Sequence, residues 1–540
     1  MRAMSLTTMK RRIARVKFFA VMLAVCAARD GLCADSSNSG DPVLDLFVQK
    51  GFVTQQEAEK VKAEADAMRT NEMQMPPLPD SKWSISKGLK RVELFGDLRL
   101  RYEDRSAADP GGNSIDLERW RYAVRFGLRG DVFDDFYYGL RIDTSPNPRS
   151  PFVTFGTSSG GTPYQGPFGK STAGINIGQV YLGWRPETWV DFTVGKMPNP
   201  LYTTPMVWNA NINPEGAAER FNYTVGEADL FATFGQFIYE DLNPSSASGG
   251  LGINGLTGQK TDNIFQLAWQ VGLKYRITTN ISAKVGATIY KYIGLQQSSV
   301  TLGSPLSPYY GDPYVGEGAS LLNPGFAPGY SGYGTSSTLP GYGSLGYPVN
   351  QVGLDHLLVL ELPFQFDFKI HKLDARVFGD FAYNLDGAAR AETAQQAYTY
   401  YLSQSLNSTV KAAPFSAQTQ DVKAYQIGLA LASSGNLGMV YGSNVKKHGW
   451  EVRTYWQHIE QYALDPNILD SDFFEGRENL EGIYAAVAYG LTDNFVATFR
   501  YGHASRINDN LGTGGSNQDV PQMNPISRYQ LFQADATLRF

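Results

Sequence analysis

The sequence predicts an all-β fold, a transmembrane antiparallel β-barrel of about sixteen strands preceded by a short helical segment. Three observations predict it. Long segments alternate apolar and polar residues with a period of two. The connections between them alternate short and long. No stretch is apolar for the ~20 residues that a spanning helix needs.

Composition agrees. Of 540 residues, only 18% are charged and 13% are aromatic, with 31 Tyr, 30 Phe, 8 Trp and 56 Gly. A charge fraction below the usual quarter, with many aromatics and glycines, suits sheets with wet turns and an aromatic-rich surface. A net charge of −5 and no basic run after the first twenty residues argue against nucleic acid as a partner.

The N-terminus reads as an export signal. Lys10, Arg11, Arg12, Arg15 and Lys17 form a basic start, and Phe18 to Ala28 an apolar core. Small residues follow, and cleavage after Ala34 gives a signal peptide over 1–34. It also removes Cys26 and Cys33, the only 2 cysteines, leaving no disulfide and no thiolate metal site. Residues 35–85 form a second part. Leu44, Phe47 and Val48 share a helical face, and Thr54 with Glu57 makes a capping box before a Glu- and Lys-rich helix. Pro76, Pro77 and Pro79 then stiffen a linker.

From residue 86 to 540 the period is two. Val92, Leu94, Leu98, Leu100 and Tyr102 alternate with Glu93, Asp97, Arg99 and Arg101. Trp120, Tyr122, Val124, Phe126 and Leu128 alternate with Arg119, Arg121, Arg125 and Arg129. A barrel turns the first set to lipid and the second to a watery lumen. The pattern places strands near 90–103, 118–132, 136–145, 174–185, 189–197, 217–225, 229–239, 263–276, 281–294, 353–369, 373–385, 421–434, 449–462, 479–491, 494–505 and 528–540. An even count puts both termini on the periplasmic side. Long connections near 104–117, 146–173, 198–216, 240–262, 295–352, 386–420, 463–478 and 506–527 are then expected outside the cell. Segment 435–448 is long for a periplasmic position, and periodicity gives no account of it. The last strand alternates up to a terminal Phe540, similar to the assembly signal of outer-membrane barrels.

Several blocks resemble the family of large putative porins of Gram-negative bacteria. They are Leu44 to Gly51, Gln179 to Pro186 leading into Val194 to Pro200, and Trp208 to Gly216. In the last of these, Asn209 and Asn211 stand where the family has acidic residues. Gly438 to Gly449, with Lys446 and Lys447, and Asp470 to Phe473 also match. The resemblance implies transport and leaves the solute open; the sixteen-stranded general porins are commonly trimers.

No enzyme is expected. None of His356, His371, His448, His458 and His503 sits in a zinc motif, and there is no Gly-x-Ser-x-Gly elbow. No cofactor or metal is called for. Asp470, Asp472 and Glu475 could bind a loop Ca²⁺, although a solvated acidic loop is the simpler reading. The functional surface is instead the inward face, and the expected pore-lining residues are Arg99, Arg101, Arg119, Arg121, Arg125, Arg129, Arg141, Asp97, Glu361 and Asp380. The arginines of the first two strands form a dense row, expected to make one wall basic. The bland alternative is that nearby acids neutralise it. The expectation is a passive aqueous channel in the outer membrane for small hydrophilic solutes, weakly anion-preferring. The rival is a structural or adhesion barrel plugged by its loops, presenting 295–352 as a binding surface.

Overall fold

The computed structural model describes residues 90–133, 135–156, 174–240, 264–293, 356–392, 421–509, 511–513 and 526–540. The chain divides into two units, Met1–Ile85 and Ser86–Phe540, and all described residues belong to the second. The expected signal peptide, helical segment and linker lie outside the described residues. So do most of 146–173, 240–262 and 386–420, all of 295–352, and part of 506–527.

The strands run in chain order. They are β1 (Glu93–Ala108), β2 (Ser114–Asp131), β3 (Phe136–Asp143), β4 (Val153–Thr154), β5 (Asn176–Glu187), β6 (Val190–Lys196), β7 (Glu215–Val225), β8 (Ala228–Glu240) and β9 (Ile264–Thr278). There follow β10 (Ile281–Ile293), β11 (Leu358–Glu361), β12 (Phe364–Ile370), β13 (Leu373–Asn384), β14 (Lys423–Ser433), β15 (Trp450–Ile459), β16 (Leu480–Gly490), β17 (Phe495–Arg506) and β18 (Arg528–Arg539). Neighbours pair antiparallel, and β1 pairs with β18 to close the sheet. The two-residue β4 extends the line of β3 alongside β2. The segments β11 and β12 are halves of one line, with the same register to β10 and β13 across the break. The barrel thus has sixteen strand positions.

The break falls at Leu362-Pro363, inside the single strand expected over 353–369. Proline has no N–H to give the ladder, yet its carbonyl still accepts from Gly286 N at 2.9 Å. The seam closes tightly. Phe540 N donates to Gly96 O at 3.2 Å, and Gly96 N donates to Phe540 O at 3.0 Å. A Cβ on Gly96 would stand 2.3 Å from the Arg125 carbonyl and 2.7 Å from the Phe540 ring, so only glycine fits.

The alternation sorts the two faces. Trp120 is 61% exposed and Leu100 45%, while Arg101, one residue further along β1, is 2% exposed. Outward rings gather at two levels. Toward the long connections Tyr102 packs on Trp120 and Phe532, with centroids 5.2 and 6.4 Å apart. Toward the short turns Trp184 stacks between Phe136 and Phe192, 5.8 Å from each. Aromatic rings bounding an apolar band are the signature of a strand wall facing lipid.

Two expectations about connections are corrected. The long loop expected over 104–117 is mostly strand: β1 runs to Ala108 and β2 begins at Ser114. Alternation fades there because Asp104 and Ser106 leave the outward face polar as well. The second concerns 198–216 and 463–478, expected outside the cell. Much of each turns into the barrel.

Candidate functional site

The site is built on the inward row of β1, β2 and β18. Their register sets opposite charges across from each other: Asp97 faces Arg125, Glu103 faces Arg119, and Arg101 faces Asp535. Arg101 grips Asp535 with Nε and Nη2 at 2.7 and 3.0 Å, a bidentate pair. Arg99 and Arg125 both reach Asp97, at 2.8 and 2.5 Å. Glu103 is fully buried and takes Arg105 at 3.0 Å, Arg119 at 2.5 Å and Arg121 at 3.7 Å. Arg129 meets Glu93, and Arg141 meets Asp143 at 2.8 Å. Arg500 also reaches Asp535. Every expected arginine of this wall therefore touches a carboxylate. The wall is not a bare basic strip, because register places an acid opposite most arginines. Nor is it neutral by simple pairing, since Asp97, Glu103 and Asp535 are each shared by at least two guanidiniums.

Two connections cross the interior. The one between β6 and β7 is tied to the far wall. Tyr202 N donates to Gln270 Oε1 at 2.8 Å, Thr203 Oγ1 to Glu361 at 2.5 Å, and Thr204 Oγ1 to Asp380 at 2.5 Å. Glu361 and Asp380, expected to line the pore, are 0% and 1% exposed, and Tyr290 OH also donates to Glu361 at 2.6 Å. In this structure they anchor the crossing loop. Met206, Val207 and Trp208 of that loop are buried, and the Trp208 ring packs on Phe237 and Tyr290, with centroids 6.1 and 6.4 Å away.

The second crossing connection lies between β15 and β16. Phe473 and Phe474 pack together at 4.4 Å, and Phe473 sits 6.0 and 5.4 Å from Tyr455 and Tyr484 on the wall. Asp472 receives Arg101 at 2.9 Å and Glu475 receives Arg105 at 3.3 Å. The acidic loop at 470–475 is thus neither a solvated loop nor arranged around a cation, because its Asp472 and Glu475 are committed to wall arginines. No group of carboxylates or histidines suited to a metal occurs among the described residues. Burial and the neighbouring charge of Asp472 push the Asp470 carboxyl up. Burial would raise Asp472 too, but Arg101, Arg500 and Arg105 outweigh it and hold it well below the usual carboxylate range.

The two loops meet. Asn209 N donates to Ile468 O at 2.6 Å, Asn209 Nδ2 to Ser471 Oγ at 3.2 Å, and Asp470 N to Pro205 O at 3.2 Å. A continuous hydrogen-bonded bridge therefore runs from the β1 and β18 wall, through Asp472 and Asn209, to Glu361 and Asp380 on β11 and β13. Asn209 and Asn211 use their amides for this framework, with Asn211 Nδ2 donating to Arg149 O at 2.9 Å.

Segment 435–448 narrows the other end. Gly438 O accepts from Arg376 at 2.8 Å and Arg453 at 3.2 Å, and Gly442 N donates to Glu451 at 2.9 Å. Arg539 donates to the carbonyls of Ser443 and Gly442 at 2.8 and 2.7 Å. These partners all lie on the inward face, so the segment tucks into the short-turn mouth. Its length, unexplained by periodicity, serves that inward path.

The fold and its interior define a class: an outer-membrane β-barrel of porin type, with loops bridging a charged lumen. A family model described as putative porin matches residues 106–304, the family that the sequence resembles. No curated protein matches the chain. Among solved structures, an anion-selective porin from Comamonas acidovorans is similar at 8% identity and a TM-score of 0.38, over 83% of this chain and 99% of that one. Outer-membrane expressed OmpT of Vibrio cholerae is similar at 9% and 0.36, over 85% and 99%. A mutant of the Rh. blastica porin is similar at 9% and 0.34, over 83% and 100%.

Proposed function

We propose that the protein is a passive aqueous diffusion channel of the outer membrane for small hydrophilic solutes, with weak anion preference, and that it is not an enzyme. The observation that carries this reading is a charged, hydrogen-bonded inner face in a barrel whose outer face is apolar. Charged side chains on an inner wall are costly unless partners or water meet them, and a row of fixed charge along a watery lumen selects ions by sign. The anion preference rests on the shared carboxylates of β1, β2 and β18. Arginine stays charged at any working pH, so guanidiniums outnumbering their acids leave residual positive potential. A Debye length of ~8 Å in physiological salt confines that potential to a narrowed lumen, which the bridging loops supply.

The reversal potential of the reconstituted protein in a salt gradient tests the selectivity. It is expected to favour anions, and Arg121→Gln with Arg125→Gln shifts it toward cations. A cation preference in the unmodified protein, or no shift in the double variant, overturns it. Solute-swelling assays with sugars, amino acids and anions identify the permeant class. The termini and residues 35–85 are assigned to the periplasm, and the assembly is taken as a trimer.

One observation favours the rival reading of a plugged structural or adhesion barrel: buried apolar residues from both crossing loops, such as Trp208 and Phe474, fill part of the interior. Its expected binding loop, 295–352, lies outside the described residues. Deleting that loop separates the two readings, since an adhesin loses attachment while a channel keeps its conductance.

A further inference from the structure

Two acids meet behind the first crossing loop, and no base answers them. Glu361 ends β11 opposite Ala382 of β13, and Asp380 lies diagonally across from it on β13. Both are fully buried. Among the described residues, no Lys, Arg or His pairs with either carboxyl. Arg376, on the same strand as Asp380, is taken by Asp367 at 2.5 Å and by Gly438 O at 2.8 Å. The contacts of the pair are hydroxyls instead. Glu361 accepts from Thr203 and Tyr290, and Asp380 accepts from Thr204 through Oδ2. Asp380 Oδ1 is buried with no donor among the described residues, and the two carboxyl groups stand within hydrogen-bonding reach of each other. Two ionised carboxylates offer only acceptors, and two like charges this close in a buried site repel. A hydrogen on one of them answers both problems, since it supplies the missing donor and removes one charge.

We propose that Glu361 and Asp380 share a single proton, which makes their grip on the crossing loop a pH-operated latch. With the proton in place, Thr203 and Thr204 hold the loop to a pair that carries one negative charge. Once it leaves to lumen water, two uncompensated charges face each other behind those hydroxyls, and hydration relieves them as the loop lifts. The latched loop thus binds a proton that the released loop gives up, so latching is full in acid and is lost as pH rises. One proton changes the ratio of released to latched loop by at most about tenfold per pH unit. The other groups facing the pair leave this sign alone. Tyr290 of β10 and Tyr202 of the loop are phenols, neutral up to about pH 9, and Lys284 rests over the Tyr202 ring at 3.8 Å. Asp367 of β12 and Arg376 of β13 neutralise each other. From β14 comes Gln426, opposite Asp380 in register and uncharged. Asp470 of the second crossing loop titrates as well, but it meets the first loop through its backbone N, at Pro205 O. The latch stands without conduction; its consequence, a constriction that widens in alkali, rests on the reading of the barrel as a channel.

Trp208 reports the position of the loop. It is buried, its ring packs on Tyr290, and its N donates to Thr204 O at 3.0 Å. Acrylamide quenching of the detergent-purified, full-length protein, less that of Trp208→Phe, isolates its accessibility. Between about pH 5 and pH 9 that accessibility is expected to rise about tenfold, the change one proton allows over a single unit of its titration. Asp380→Asn still accepts from Thr204 and offers its amide to Glu361, imitating the protonated pair, so its Trp208 stays shielded throughout. Glu361→Gln imitates the pair from the other side and serves if heat-dependent gel mobility shows the first variant misfolded. A flat response in the parent overturns the shared proton, and so do variants that keep the parent's pH response, which would assign it to Asp470 or another group. Quenching at about pH 6 that follows a chelator and added Ca²⁺ also overturns it, because a cation would then lie between the carboxylates. Quenching does not depend on conduction. A pH-dependent loop in a barrel that never conducts keeps the latch and refutes the channel, and a flat response in a conducting barrel does the reverse.

Discussion

At the scale of single residues, the interior is held by charges that cannot be removed one at a time. Arg101 is 2% exposed and touches Asp535 and Asp472 together. Arg101→Gln leaves both carboxylates short of a partner, and breaking a buried pair this way costs about 3 kcal/mol, the lower end of its range because Arg500 still holds Asp535. A lower urea midpoint in detergent is the expected reading; an unchanged midpoint contradicts the pairing. Asp470 makes the opposite case. Its carboxyl is raised in the folded state, so its charged form is disfavoured there, and stability falls as pH rises above the ordinary carboxylate range. Asp470→Asn, whose amide oxygen can still accept from Phe473 N, therefore matches the parent in acid and exceeds it at pH 8. Thermal melts at the two pH values check this; equal melts at pH 8 count against it.

At the scale of elements, the crossing loop is latched by two hydroxyls. Thr203 and Thr204 are 158 and 176 residues in sequence from Glu361 and Asp380. Replacing both by Ala loses hydrogen bonds to carboxyl groups worth about 1.5–3 kcal/mol each. The loop then leaves the far wall more often, and open-channel current becomes larger and noisier; a quiet, unchanged current argues against the latch. These elements also show what the sequence could reveal. Strands inside the lipid band were legible because Leu98, Leu100 and Trp120 face lipid while Asp97, Arg99 and Arg121 do not. The upper parts of β1 and β2 were not, since Asp104 and Ser106 make both faces polar. The arginine row was legible from period two, and Glu93 and Asp97 were visible as possible partners. That Asp472 and Asp535 would complete the network was not, because those contacts join positions far apart in the chain. The inward course of 198–216, 463–478 and 435–448 left no local pattern for the same reason. The Trp208 to Gly216, Gly438 to Gly449 and Asp470 to Phe473 blocks, singled out by family resemblance, were the signal closest to it.

At the scale of the whole molecule, the barrel separates an apolar exterior from a charged interior, and two loops divide that interior between opposite walls. The expected assembly is a trimer. Native mass measurement in mild detergent should give three copies, and a monodisperse monomer refutes it. Conduction itself is the central claim, because the same loops that would make a selective constriction would, if packed without a gap, seal the barrel. Single-channel recording of the purified protein in a planar bilayer tests it most directly. Discrete conductance steps that persist under low applied voltage are the predicted result, and a protein that inserts but shows no steps at any voltage contradicts it.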